Sequence, residues 1–450
     1  MNELQRVKTT KGKKILFAFP RLGSSLVLGI EGTAMFTLYF VGYGLQPFLT
    51  TVAQAVGYLT IAAAQFLLGW ISDSKYTRWG RRKPYVLVFA PLLGISFIFL
   101  MLPALGLPDL NDKNALFWWL LIWDVIFRAS YAVTTPYQAW MAELFPVEER
   151  PVVSQAQNTF NYIGNGVMAL TSLIVLTSVF NKVKANISVI PFEFLLIILL
   201  FGVIEIVSYI SVCFLLPTES PYKISTTIIE NLKVILKNKN YNLVVLMQGI
   251  CGFAFSILST VMLTYATVVL ALSTMEYIIV AICLLFGIFV FLYVWRKSIQ
   301  KRGKKATLLY IYLFGILFLP ISLLGLISAI PHLILGIIFI LGVAGILGGW
   351  FLFPYIMYAD LAEDDEKTTG ALKAGAYIGY PSIILNICQA IGILLLGAIM
   401  SLPNITVGSL TFTLGLIIWG PICSLILIVS LLYTRKFVTL DFAWEKKEPK

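Results

Sequence analysis

The stretch LFWWLLIWDVIFRASYAVTTPYQAW, residues 116–140, is an apolar segment that contains the charged residues Asp124 and Arg128. It is long enough to cross a bilayer, which takes about 20 residues of helix. A charge at bilayer depth is costly unless it is paired or faces water, so such residues mark a fixed pair or a transport pathway. On a continuous helix, five polar side chains at 4-3-4-3 spacing would share one face: Asp124, Arg128, Tyr131, Thr135 and Gln138.

The composition indicates that the whole chain is a membrane protein. Of its 450 residues, 59% are hydrophobic and 12% are charged, and this charged fraction is about half that of an ordinary soluble domain. Apolar runs of about twenty residues recur along the chain. The predicted fold class is an all-α membrane protein with twelve transmembrane helices. The predicted spans are residues 17–44, 48–71, 85–106, 116–140, 152–180, 193–216, 241–269, 275–295, 306–328, 332–357, 371–400 and 410–434.

The Lys and Arg residues predict the orientation. Of the 33, 29 lie at the chain ends and in every second connection, three lie in the other connections, and Arg128 lies within a span. Cytoplasmic segments are rich in Lys and Arg, so both termini are predicted to be cytoplasmic. The net charge of +11 is spread between apolar runs and therefore does not indicate nucleic-acid binding. We expect a monomer in the lipid bilayer of the plasma membrane.

The spans divide into two halves of six. The longest predicted cytoplasmic connection, residues 217–240, separates an N-terminal half (1–216) from a C-terminal half (241–434), and a tail (435–450) follows. Within the connection, TTIIENLKVILKNK has the pattern of an amphipathic helix that lies on the membrane surface.

The two halves also resemble each other in sequence. The fourth span of the first half ends in PYQAWMAELFPVEER (residues 136–150), and that of the second half ends in PYIMYADLAEDDEK (residues 354–367). Two similar six-helix halves are typical of secondary transporters, whose substrate site lies between the repeats.

Residues 69–84, GWISDSKYTRWGRRKP, resemble the loop between helices 2 and 3 of the major facilitator superfamily. The Arg-x-Gly-Arg-Arg-x-Pro part resembles, more particularly, the glycoside–pentoside–hexuronide cation symporters. Further matches to that family are Pro136-Tyr137, Glu143-Leu144, Glu149-Arg150, Asp360, Glu366, Thr369-Gly370 and Gly375. The resemblance implies the major facilitator fold and the transport of a sugar or glycoside.

The same resemblance assigns positions to the family's ion and sugar ligands, and each of these positions is neutral here. Ile61, Gln65 and Thr134 stand where the family has its sodium-binding carboxylates. The other positions are Ser25, Gln138, Asn158 and Asn386. A sodium site needs several hard oxygen ligands, so we expect no sodium coupling and no metal site, and the sugar specificity of the family is not implied.

The charged residues within the spans are candidates for substrate binding and proton coupling. Arg128 is predicted near the bilayer midplane, where it would bind substrate oxygen atoms while Asp124 balances its charge or carries a proton. The alternative is a structural pair satisfied within one helix. Glu31 and Glu205 are the other candidate proton-coupling acids, because burial favours the neutral form of a carboxylic acid. Alternatively, each is a neutral hydrogen-bonded acid or a partner of Arg128.

Amides and phenols form further stripes, and they suit a polyol ligand; interhelical hydrogen bonds are the alternative. The predicted substrate-binding residues, with Arg128 and Asp124, are Tyr131, Gln138, Asn158, Tyr162, Gln65 and Asn386. Trp350, in the Gly-rich run GILGGWFLFP, is the candidate for stacking against a sugar. A cytoplasmic gate is predicted from Asp73, Arg78, Arg81, Arg82, Glu143, Arg150 and Asp360, with solvated charges as the alternative.

The sequence thus predicts a transporter of a small polar solute, most simply a sugar or glycoside, that works by alternating access and is coupled to protons or uncoupled. An exporter of drug-like or amphipathic compounds on the same fold is the alternative, although its cavity should be rich in aromatic side chains. No HExxH, GxSxG or phosphate-binding loop indicates an enzyme. No cofactor is expected.

Overall fold

The computed structural model describes residues 10–74, 76–146, 149–218, 236–369 and 381–442. In this part of the chain, twelve helices are long and apolar enough to cross a membrane, which confirms the predicted fold class. They are α1 (Lys11–Gly42), α2 (Pro47–Ser72), α3 (Lys83–Met101), α4 (Lys113–Met141), α5 (Val152–Ala185), α6 (Phe192–Leu215), α7 (Lys239–Leu270), α8 (Met275–Arg302), α9 (Lys304–Leu326), α10 (His332–Thr369), α11 (Pro381–Met400) and α12 (Gly415–Phe437).

The helices form two compact units. The first contains residues 1–45 and 56–225, and the second contains residues 46–55 and 226–450. The short segment 46–55, the beginning of α2, therefore packs with the second unit. The predicted amphipathic helix of the connection falls within residues 219–235, outside the described residues.

Several predicted boundaries are wrong. The third helix ends at Met101 instead of residue 106, because Pro103 begins a separate short 3-10 turn. The eighth helix continues to Arg302, and the tenth to Thr369, since their polar ends remain helical beyond the apolar runs that defined the predicted spans. The predicted start of the eleventh span, residue 371, lies outside the described residues.

A small hairpin precedes α12, where the sequence predicted helix from residue 410. Its strands are β1 (Asn404–Val407) and β2 (Leu410–Thr413), which pair antiparallel. The two-residue turn between them begins with Gly408 at φ +61°, a conformation that glycine adopts without strain. Leu410 and Phe412 thus belong to a strand, and α12 begins only at Gly415.

The chain after α12 folds back onto the second unit. Val438, Leu440 and Phe442 are buried. Between them, the Asp441 carboxylate accepts hydrogen bonds from the backbone N–H groups of Lys304 at 2.7 Å and Lys305 at 3.2 Å. Asp441 therefore caps the N-terminus of α9, where backbone N–H groups have no partner within the helix.

Helix α4 is interrupted near its middle. One α-helical segment covers Lys113–Tyr131 and the next covers Thr134–Leu144. At the junction, the backbone N–H of Thr135 donates to the carbonyl of Ala132 at 3.0 Å, three residues earlier. Pro136 explains the interruption, because proline has no N–H and its ring clashes with the carbonyl of the fourth residue before it, here Ala132.

The prediction of one continuous helix over residues 116–140 is therefore wrong. Asp124, Arg128 and Tyr131 belong to the first segment, and Thr135 and Gln138 belong to the second. A turn of i→i−3 bonds rotates the chain by a different angle per residue than an α-helix does. The 4-3-4-3 spacing alone therefore does not place all five side chains on one face.

Candidate functional site

Three charged side chains meet inside the first unit, and we call Glu31, Asp124 and Arg128 the ionic cluster. Arg128 Nη2 donates a hydrogen bond of 2.6 Å to Glu31 Oε1, and Arg128 Nε lies 3.7 Å from Asp124 Oδ1. The two carboxyl residues are 0% exposed and Arg128 is 4% exposed. The pairing of Glu31 with Arg128, one of the alternatives left open by the sequence, is present in the structure.

Helix α2 closes the ionic cluster on one side. The Arg128 guanidinium carbon lies 4.4 Å from the centroid of the Tyr58 ring, within the range of a cation–π interaction. Next to it, a Cβ atom on Gly57 would collide with the Asp124 carboxyl group and the stem of Arg128. The absence of a side chain at Gly57 is therefore what allows α2 to pass so close to the cluster.

Several polar atoms of the ionic cluster make no hydrogen bond. Glu31 Oε2, both carboxyl oxygens of Asp124 and Arg128 Nε have no hydrogen-bond partner among the described residues. Two carboxylates facing one guanidinium would leave one buried negative charge uncompensated, which is unfavourable. One proton bound by the two acids would remove this charge. The Arg128 guanidinium thus faces carboxyl groups of the chain itself.

Glu205 belongs to a second buried cluster, formed with residues of α1. Its carboxyl group accepts a hydrogen bond from Ser24 Oγ at 3.3 Å, and the Ser24 hydroxyl also lies 3.1 Å from the Tyr209 hydroxyl. Gly23 packs against Glu205 so closely that a Cβ atom would collide with it. Ser24 is thus the hydrogen-bond donor to Glu205, whereas Arg128 is the donor to Glu31.

The residues of the predicted polar stripes differ in exposure and in their contacts. On α5, Asn158 and Tyr162 are exposed, and Gln138 of α4, Gln65 of α2 and Tyr131 are half-buried. Asn386 of α11 is buried, but its Nδ2 donates to the carbonyl of Ser382 on its own helix at 2.7 Å. This contact uses one of its two amide hydrogens.

Sequence analysis did not identify the polar residues on the face of α5 that packs against α1 and α4. Gln157 Nε2 donates to the Tyr137 hydroxyl at 3.1 Å, and Asn161 Oδ1 accepts from Ser25 Oγ at 2.6 Å. The signal in the sequence was the 4-3 spacing of Gln157 and Asn161 with Gly164, where a Cβ atom would collide with the backbone of α1. A glycine at helical spacing from two amides marks the closely packed side of the helix.

In the second unit, Trp350 stacks on Phe255 of α7, with ring centroids 4.4 Å apart and planes inclined by 14°. Both rings line a cavity between α7, α9, α10 and α12, which Gln248 also lines. In the first unit, the three side chains of the ionic cluster are packed against each other and against α2.

Three of the predicted gate residues, Arg82, Glu143 and Asp360, take part in ion pairs within their own unit. Arg82 donates to Glu143 at 2.7 and 3.1 Å and to Ser72 Oγ at 2.8 Å, and the pair is buried. In the second unit, Lys304, which sequence reasoning missed, pairs with Asp360 at 2.6 Å.

The remaining gate residues occupy varied positions. Arg81 is buried, Arg78 is exposed beside the Trp79 ring, and Arg150 Nε donates to the Phe145 carbonyl at 3.2 Å. The Asp73 side chain lies outside the described residues. The tight turn expected at Gly80 is present, with φ +91° and backbone hydrogen bonds in both directions to Thr77.

No metal site is evident in the described part of the chain, where no group of three or more His, Cys, Asp or Glu side chains could hold an ion. Of the predicted site residues, the structure thus brings Glu31, Asp124 and Arg128 together. It places Glu205 in a separate cluster, and Trp350 beside a cavity of the other unit.

The fold is that of a multi-pass membrane protein, with twelve candidate spans in the described part of the chain. A D-xylose–proton symporter superposes with a TM-score of 0.60 over 95% of this chain and 96% of its own, at 16% identity. The nucleoside transporter NupG gives a TM-score of 0.60 (94% and 98%, 12% identity). A bacterial homologue of the human lysosomal transporter Spinster gives 0.63 (95% and 98%, 13% identity). At such identities the likeness shows the fold alone.

The family model described as MFS/sugar transport protein matches residues 19–434, and the chain belongs to this family. This confirms the resemblance found in the sequence. No curated protein matches the chain significantly.

Proposed function

We propose that this protein is a secondary transporter that carries a sugar or glycoside across the plasma membrane by alternating access, coupled to protons through the ionic cluster. Membership of the sugar-transport family supports the substrate class. The observation that carries proton coupling is the composition of the cluster: two fully buried carboxyl groups share one guanidinium, and three of their oxygens lack a partner among the described residues.

The geometry suggests how the cluster would work. With one proton bound, the three groups are electrically neutral and stay closed around Arg128. Loss of that proton leaves a buried net negative charge, and the acids then favour separation or hydration. Proton binding would thus be linked to the packing of α1 against α4. Asp124, which has the weaker contact with Arg128, is the proposed proton carrier.

Sodium coupling is not part of the proposal. The family's helix-2 ligand positions are held by Ile61, a buried apolar side chain, and by the neutral amide of Gln65. We also propose that both termini are cytoplasmic, because 29 of the 33 Lys and Arg residues then lie on that side. The pairs Arg82–Glu143 and Lys304–Asp360 are the proposed gate contacts of the two units.

The test is transport by purified protein in proteoliposomes, with a panel of radiolabelled sugars, with and without imposed proton and sodium gradients. We expect sugar counterflow, and net uptake that an inward proton gradient stimulates. The variant Asp124→Asn should keep counterflow, because exchange needs no net proton movement, and should lose the stimulation. Asp109→Asn, at an exposed aspartate, is the matched control.

The outcomes separate the parts of the proposal. Absence of counterflow for every sugar contradicts the substrate class and favours the amphipathic-export alternative. Stimulation by sodium alone contradicts proton coupling, and uptake indifferent to both gradients indicates a uniporter. Glu205→Gln should retain proton stimulation. If it alone abolishes the stimulation, the coupling acid is Glu205 and the ionic cluster is structural.

A further inference from the structure

One face of α8 is exposed over most of its length, and its side chains there are apolar. Four of them follow the 4-3-4 spacing that places residues on one side of a helix. We call these exposed residues the apolar stripe: Ile282, Phe286, Phe289 and Tyr293. The stripe extends over about 16 Å at the helical rise of 1.5 Å per residue. This length matches the hydrocarbon of one leaflet, which is half of the roughly 30 Å core of a bilayer.

Positive charges follow directly at one end of the apolar stripe. Arg296 and Lys297 lie three and four residues after Tyr293, and Lys301 lies about one turn beyond Lys297. The helix is continuous through these positions, and the three cationic side chains are exposed. We call Arg296, Lys297 and Lys301 the α8 cations. The Lys297 ammonium group lies 5.7 Å from the centroid of the Tyr293 ring, within the range of a cation–π interaction. The charge therefore begins where the apolar surface ends.

The α8 cations lack the counter-charge that the corresponding segment of the first unit has. After α2, Arg82 pairs with Glu143, and the pair is buried. After α8, Lys304 pairs with Asp360, but the α8 cations have no ion-pair partner in the described part of the chain. No Asp or Glu occurs in the sequence between Glu276 and Asp360. Three positive charges thus lie within about 8 Å along the helix axis, and such clusters beside a membrane span attract anionic lipids.

We propose that this face of α8 binds one anionic phospholipid. The α8 cations hold the phosphate of its headgroup, and an acyl chain lies along the apolar stripe. The charge of the cations selects the headgroup, and the length of the stripe matches a chain that fills one leaflet. A soluble phosphate would leave the stripe unused, and a zwitterionic lipid would leave the positive charge uncompensated. The inference goes beyond the proposed function, because it concerns a lipid of the bilayer and no transported solute.

The test is native mass spectrometry of the purified full-length protein, titrated with phosphatidylglycerol or phosphatidylcholine that carry the same acyl chains. We expect one phosphatidylglycerol to bind more tightly than phosphatidylcholine. Arg296→Gln combined with Lys297→Gln should weaken binding of this phosphatidylglycerol about 30-fold, because two attractive charges are lost. The same double variant should leave the binding of phosphatidylcholine unchanged.

The matched control is Arg435→Gln combined with Lys436→Gln. These two residues are also an exposed Arg–Lys pair at the end of a spanning helix, in this case α12. The control therefore removes the same charge from a different helix, and it should leave the affinity for the first phosphatidylglycerol unchanged. An equal loss of affinity in both double variants would show diffuse attraction to a positive protein and would overturn the site on α8.

Two further measurements test the apolar stripe. Phe286→Ala combined with Phe289→Ala should weaken phosphatidylglycerol and phosphatidylcholine by the same factor, because the lost contact is to the acyl chain that both lipids share. Glycerol 3-phosphate, which carries the phosphate without an acyl chain, should not displace the lipid at equal concentration. Displacement by glycerol 3-phosphate would reduce the site to a binding site for soluble anions. Equal affinity for the two lipids would leave the α8 cations as orientation signals only. Either result overturns the inference.

Discussion

Removal of the one positive charge in the ionic cluster is the sharpest test of the arrangement. Arg128→Gln leaves Glu31 Oε1 without the guanidinium that donates to it at 2.6 Å, and Asp124 without the cation 3.7 Å away. Removing one partner of a buried ion pair costs about 3–5 kcal/mol, because the other charge stays buried without compensation. We expect Arg128→Gln to lose about that much free energy of unfolding.

Glu31→Gln should cost less, about 1.5–3 kcal/mol, the worth of a hydrogen bond to a charged group. Arg128 then still faces Asp124, so one positive charge remains opposite one negative charge. The double variant Glu31→Gln with Arg128→Gln removes both sides of the same contact. Its loss should therefore be about 1–3 kcal/mol smaller than the sum of the single losses.

The assay is the free energy of unfolding in mixed micelles, measured by titration with dodecyl sulfate. Lys182→Gln is the control, because its ion pair with Glu193 is exposed, and its loss should stay below about 1 kcal/mol. Additive losses in the double variant, or an Arg128→Gln loss no larger than that of the control, would refute the buried ion pair.

Two further predictions concern backbone and cap positions. Gly57→Ala should destabilise the protein by about 1–3 kcal/mol and weaken proton stimulation of uptake, because the new methyl group collides with Asp124. The control is Gly32→Ala, at a position where a Cβ meets nothing within 4 Å. This control should be neutral or stabilising by up to about 1 kcal/mol in the same measurements. Asp441→Ala should cost about 1 kcal/mol of unfolding free energy through loss of the α9 cap; Asp109→Ala, at an exposed turn, should cost clearly less, and equal losses would contradict the capping role.

The sequence predicts the helices well, because a membrane span is defined by length and polarity alone. Twelve apolar runs gave twelve helices. The same reasoning failed where the polarity of a segment does not indicate its secondary structure. α10 continues through a charged segment to Thr369, and Leu410–Thr413 (LTFT) is a strand although it lies next to the apolar run of α12. Hydropathy detects the bilayer core and does not detect where a helix ends in water.

The ionic cluster was partly predictable. A buried Arg with one acid on its own helix and another in mid-membrane suggests a shared pair, and Glu31 does bind Arg128. The contribution of α2 was not foreseen, because nothing in the sequence shows that Gly57 and Tyr58 face Arg128. Nor could spacing show that Asn386 would bond to its own backbone, since that depends on a side-chain rotamer.

The interruption of α4 divides the helix into two segments that make different contacts. The first part holds Asp124 and Arg128 against α1, and the second ends beside Glu143, the partner of Arg82. Pro136 has already removed the hydrogen bond that would resist bending between them. The joint therefore offers less backbone resistance to a tilt of the segment Thr134–Leu144 relative to the segment that holds the ionic cluster. Changing Pro136 to alanine would restore that missing hydrogen bond and join the two segments into one stiffer helix.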